Sequence, residues 1–275
     1  MNRYLSFPRL GRLLTKDLTE GYRTIFIVVG AVTGVLLLNY LVGAVSDANN
    51  MHESGIVPHS GENSTMHMVF FTLVLLIGGF IISSRSFMEL HTKSRNHDWL
   101  MLPASTFEKF LSRLLLASVG VGIGAVVYFF LFSLLASGLS ALLFGRPYTI
   151  FNPLDGTVWM LVLRYVVIQS VFFAGAAYFK KAHFIKTILV LSAFGFALLL
   201  LTAGIARLVF WREFAHLVSG TGFANFDISV LEPRLQAAGE VFLLISRILF
   251  WAVLAPVMWV FAYLRLAEAE VRNGV

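Results

Sequence analysis

Long unbroken apolar runs, separated by short polar segments, set the rhythm of this chain. Six stretches come close to or exceed the roughly 20 apolar residues that a helix needs to cross a bilayer. They are Ile25–Val45, Met66–Ser83, Leu114–Leu135, Val158–Tyr178, Thr187–Ala206 and Val241–Leu264. The third can begin earlier and reach Leu143. None alternates in polarity, as strands of a membrane barrel would. Open strands cannot span, since lipid offers no partner for free amide groups. The pattern therefore predicts an all-α membrane protein with six transmembrane helices in one domain, residues 25–266, followed by a tail, 267–275.

Residues 1–24 read differently. Leu10, Leu13, Leu14 and Leu18 recur at helical spacing among Arg9, Arg12, Lys16 and Asp17. This predicts an amphipathic helix lying in the headgroup plane, against the plainer alternative of a basic flank. The segment is long for the polar start of a cleaved leader, and the apolar run that follows is too long for its core. Cleavage is not expected.

Charge gives the spans a direction. Lys and Arg gather in the N-terminal segment, in the second loop (Arg85, Lys93, Arg95, Lys109, Arg113), in the fourth (Lys180, Lys181, Lys186) and in the tail (Arg265, Arg272). The first loop has none and the third has Arg146 alone. Retention of cations on the cytoplasmic side then puts both ends inside. The fifth loop, 207–240, mixes Arg207, Arg212 and Arg234 with Glu213, Asp227, Glu232 and Glu240 and is expected to form short helices outside or at the interface.

Composition agrees with the spans: 58% of the 275 residues are hydrophobic and 13% are charged, against about 25% charged in soluble domains. The net charge of +6 is explained by the cytoplasmic loops, so no nucleic-acid partner is expected. There is no cysteine, which removes disulfides, thiolate metal sites and a Cys nucleophile.

Catalytic patterns are missing. No G-x-x-x-x-G-K-[ST] run, H-E-x-x-H motif or G-x-S-x-G elbow occurs. No catalytic residue, metal site or cofactor is expected on the chain. Gly120, Gly122 and Gly124 read as close-packing positions between helices. His52, Glu53, His59, Glu62 and His67 match no metal-site spacing and read as a solvated loop. Arg164 and Arg247 fall inside spans four and six; Arg247 is a candidate for the translocation path, with snorkelling to the interface as the alternative. Pro256 is expected to bend the last span.

The second loop is the most informative segment. Pro103 disfavours helix at Leu102. Ser105 with Glu108 three residues later forms a capping-box pattern. The apolar run Trp99, Leu100, Met101, Leu102 reads either as a docking surface or as a loop folded back on the membrane.

The run Leu102-Pro103-Ala104-Ser105, followed by Glu108-Lys109-Phe110-Leu111-Ser112-Arg113, resembles the loop after span two of type-2 ABC transporter permeases of a kind common in Bacteroidetes. Phe179 to Thr187 is similar to the turn between spans four and five of that group, and Tyr263 to Val271 to its C-terminal end. The resemblance implies a multi-pass permease subunit of an ATP-driven exporter in a bacterial inner membrane, working as a homodimer or heterodimer. A separate ABC ATPase subunit would bind ATP and Mg. It also implies that the region from Phe87 to Glu108 meets that ATPase, with Glu89, Leu90, Leu102, Pro103, Ser105 and Glu108 as interface candidates. The alternative is a membrane interaction, immunity or signalling protein that keeps a permease-like fold without transporting.

Overall fold

The computed structural model describes residues 6–54, 60–91, 99, 101–145, 149–209 and 233–274. Among these residues every regular element is helical. Helix α1 is Phe7–Ser54. Helix α2, Ser60–Leu73, passes through a π-helical turn, Val74–Gly78, into α3, Gly79–Arg85. A short α4, Met88–His91, follows. Helix α5, Thr106–Leu115, passes through a second π turn, Leu116–Gly120, into α6, Val121–Phe144. Helix α7 is Gly156–Tyr178 and α8 is His183–Val209. Helix α9, Pro233–Ile248, leads through a third π turn, Leu249–Leu254, to α10, Ala255–Gly274.

Six helical stretches are long and apolar enough to cross a membrane: Ile25–Ser46, Met66–Leu90, Thr106–Leu143, Gly156–Tyr178, His183–Gly204 and Glu240–Val271. The chain is a multi-pass membrane protein. Each stretch overlaps one of the six apolar runs, and the third extends in both directions to include the capping-box helix.

Helix α7 is the centre of the bundle. Of its span 61% is buried, against 6% for the fifth and sixth spans. Helices α3, α8 and α10 all pack on it. Gly175 explains the closeness of α8: a Cβ there would overlap the Thr187 hydroxyl, which donates to the His183 carbonyl at 2.8 Å. We expect Gly175→Ala to lower stability in detergent by about 1–3 kcal/mol through overpacking, and Thr187→Ala to restore most of it. Unchanged thermal unfolding of the single variant would refute this contact. Of Gly120, Gly122 and Gly124 on the third span, Gly122 alone has this role: its Cβ would press on Val162, while Gly120 has ordinary contacts and Gly124 open space.

Two expectations change. The N-terminal segment is not a separate helix. It continues into the first span as one helix of 48 residues, about 72 Å long and more than twice the hydrocarbon thickness. Its buried leucines, Leu10 and Leu13, lie in the part of the helix that packs on α5 inside the protein, whereas Leu18 stays 51% exposed. The first loop is also largely helical: α1 runs to Ser54 and α2 starts at Ser60. Within α2, His67 is 2% exposed and its Nδ1 lies 2.6 Å from the Tyr40 hydroxyl, so it is a core residue rather than part of a solvated loop. Pro256 lies just past the third π turn. A wider turn accommodates a ring that would collide with the carbonyl four residues back. Residues 1–5, 55–59, 92–98, 100, 146–148, 210–232 and 275, with the expectations placed on them, among them Leu100 of the apolar run and most of the fifth loop, lie outside the described residues.

Candidate functional site

Polar residues concentrate where α1, α5 and α10 meet the loop after span two. The organiser is α5. Ser105 is extended, and its hydroxyl accepts the Glu108 amide at 3.2 Å. Glu108 Oε2 accepts the Ser105 amide at 3.0 Å. This is the expected capping box, and it satisfies donors that a helix start leaves open. The second carboxylate oxygen, Oε1, accepts the Ser6 amide at 2.7 Å and lies 3.3 Å from the Arg9 guanidinium. One acidic side chain thus caps α5 and ties down the start of α1.

The next turn of α5 repeats the device. Ser112 donates to Asp17 at 2.9 Å, and Arg113 bridges Asp17 at 3.1 Å and Glu89 at 2.8 Å. Burial raises the Asp17 carboxyl above its ordinary value, and Arg113 and the Ser112 hydroxyl offset this only in part.

The third tie reaches the C-terminal helix. Lys109 is 5% exposed; its ammonium donates to the Trp99 carbonyl at 3.0 Å and to Glu270 at 3.3 Å. Glu270 also accepts the Trp99 indole N–H at 2.9 Å and the Thr106 hydroxyl at 2.5 Å. Trp99 lies under two cations, with Lys109 Nζ 5.7 Å and Arg113 Cζ 5.5 Å from its ring. Phe87, Leu90 and Phe173 close the apolar side around it. Each buried cation is paired with a carboxylate, so the arrangement works as a three-way clamp holding the loop to spans one, three and six.

The six interface candidates divide under this geometry. Glu108 has no side-chain exposure and Leu90 is 2% exposed, so both are occupied within the chain. Glu89 is half-buried on Arg113, Ser105 is half-buried as the cap and Leu102 is half-buried. Pro103 alone is exposed. Trp99, read from the apolar run as part of a docking surface or of a loop folded back on the membrane, is 2% exposed because its indole is enclosed by Glu270 and Phe87. The outward large apolar residues of the region are Met88, 43% exposed, Met101, 70% exposed, and Phe107, 39% exposed. Arg247 is exposed on α9 and makes no hydrogen bond or ion pair with a described residue, and Arg164 is exposed on α7.

Sequence reasoning missed Arg9, Asp17, Lys109, Arg113 and Glu270 as one group. Their partners lie up to 171 residues apart. The available signal was the presence of Glu108, Lys109, Ser112 and Arg113 on one stripe of a helix that enters a span. Among the described residues, no group of three or more His, Cys, Asp or Glu side chains could hold a metal. Comparison of the chain with models of known families, with characterised proteins and with solved structures gives no match.

Proposed function

We propose that the chain is the membrane-spanning permease subunit of an ATP-driven ABC exporter in a bacterial cytoplasmic membrane. Both ends would lie inside, and the permease would work as a dimer with a separate ATPase subunit that carries ATP and Mg. The observation that carries this reading is the clamp around Trp99. It fastens the loop after span two, the segment that resembles a permease's ATPase-contacting loop, to helices α1, α5 and α10. A push on that loop is thereby delivered to spans one, three and six together. Transport requires only that nucleotide on the partner favour one arrangement of these spans over another.

The geometry revises which residues a partner would touch. Met101, Pro103 and Phe107 face outward, while Glu108 is closed into the cap. A charge reversal at Glu108 would place a cation against Arg9 and break the cap, disturbing folding rather than reporting on an interface. The better probe is Met101→Asp with Phe107→Asp. We expect it to cut recovery of a P-loop ATPase with the tagged protein by about tenfold or more, since apolar anchors at an interface cost more than 1 kcal/mol each when lost. Thermal stability should fall only by the edge-to-face contact of Phe107 with Tyr263, about 1 kcal/mol. If the native protein in mild detergent brings down no such ATPase, or the variant retains it in full, the reading fails. An ATPase that is recovered but never stimulated by any transported compound would favour the non-transporting alternative.

A further inference from the structure

Spans four and five are joined by a tight turn in which Ala182 takes a left-handed conformation, φ 52°. The turn presents Lys180 and Lys181, with Lys186 one turn into α8, all three exposed. Two aromatic side chains, Tyr178 and Phe179, form a ledge at the start of the turn. Tyr178 and Phe179 lie edge to face with ring centres 5.1 Å apart, and Phe261 of α10 flanks Tyr178 at 6.2 Å. Each ring carries a cation. Arg265 of α10 sits 4.7 Å above Tyr178, and Lys186 Nζ lies 5.9 Å from the Phe179 ring.

The charge on this ledge is poorly compensated. No Asp or Glu occurs in the sequence between Asp155 and Glu213. Among the described residues the one carboxylate paired with these cations is Glu268, on Arg265 at 2.6 Å, and that pair is well exposed. The contrast with the Trp99 clamp is direct: there every buried cation has a carboxylate, whereas Lys180, Lys181 and Lys186 form no ion pair with a described residue. The cluster also stands at the end of two spans, the depth of phospholipid headgroups, and beside apolar helix faces that acyl chains cover.

We propose that Lys180, Lys181, Lys186 and Arg265, on the Tyr178–Phe179 ledge, bind the headgroup of an anionic phospholipid. The cations take the phosphate, and the exposed apolar flanks of Ile185 and Leu264 lie beside its acyl chains. Clusters of this kind between helix ends favour anionic headgroups by about 1 kcal/mol per basic residue, which for three lysines is a preference of roughly a hundredfold. The inference does not depend on transport or on an ATPase.

The test is native mass spectrometry of the purified full chain with phosphatidylglycerol or phosphatidylcholine at equal mole fraction. We expect retained phosphatidylglycerol on the native protein. Lys180→Gln/Lys181→Gln/Lys186→Gln should reduce it by roughly tenfold to a hundredfold. As a control, Arg12→Gln/Lys16→Gln/Arg23→Gln removes the same formal charge from α1 and should leave retention nearly intact. Because loss of lysines can alter insertion, Tyr178→Leu/Phe179→Leu is the second variant: it keeps every charge, removes the ledge and should weaken retention several-fold. The proposal is overturned if the lysine variant retains lipid fully, if both charge variants lose it equally, or if the ledge variant has no effect. Displacement by millimolar inorganic phosphate would also overturn it, by making the site one for the free ion.

Discussion

Glu270→Ala is expected to loosen the clamped end of the protein more than any other single truncation at the clamp. Glu270 is 14% exposed and accepts from Trp99, Thr106 and Lys109. Removing it leaves an ammonium that is 5% exposed and an indole N–H with no acceptor. Breaking a buried pair costs about 3–5 kcal/mol, and the residual exposure here brings that to about 2–4 kcal/mol. Glu270→Gln keeps an acceptor and loses the charge, so it should cost roughly half as much. Lys109→Met removes the stranded cation, so the double variant should recover much of the loss. Chemical unfolding of the four proteins in one detergent forms a double-mutant cycle. Simple additivity would mean that Lys109 and Glu270 do not depend on each other, and the clamp would lose its central tie.

Gly79→Val is expected to disrupt the bundle at mid-membrane. In the second π turn, Val121 N–H bonds to the Leu116 carbonyl five residues back. In a regular α-helix it would bond to Ala117. The Ala117 carbonyl instead accepts the Tyr165 hydroxyl at 2.5 Å, with Ser83 Oγ 3.4 Å from the same hydroxyl. Lipid offers no substitute acceptor or donor, so the tyrosine completes the helix. Its ring fits because residue 79 has no side chain: a Cβ there would overlap the ring and the hydroxyl. Valine must push the ring away, at about 1–3 kcal/mol for overpacking and a similar amount for the orphaned carbonyl. Tyr165→Phe keeps the ring and should cost about 1–3 kcal/mol, the second part alone. The ordering Gly79→Val worse than Tyr165→Phe is the measurable result. Equal stability of Gly79→Val and the native protein would remove this account.

The sequence carried the number and rough place of the spans because a run of about 20 apolar residues has few other uses. The capping box at Ser105 and Glu108 was legible because it is local, three residues wide. The other half of Glu108 was not: its bonds to Ser6 and Arg9 cross 102 residues or nearly so, and a single sequence holds no record of them. Leu90 and Trp99 show the same limit from the apolar side. An apolar residue in a polar loop reads equally well as exposed for a partner or buried for the fold, and here the fold has taken both. The leucine stripe near the N-terminus was correctly periodic, but periodicity names a face and not its neighbour. That neighbour proved to be α5.

The π turn in the second span has an effect on timing along the helix. Phe71, Leu75, Gly79 and Ser83 are all buried, each four residues after the last. Three turns of α-helix take about eleven residues, so a stripe of twelve would drift by about 120° and leave the bundle. One turn that absorbs an extra residue cuts the drift to about 20° and brings Ser83 back toward Tyr165. The wide turn is thus a phase correction. Straightening the helix with every residue kept would set Phe71 and Ser83 about 120° apart, whereas removing one residue at Val74–Gly78 would straighten it and leave them on one face.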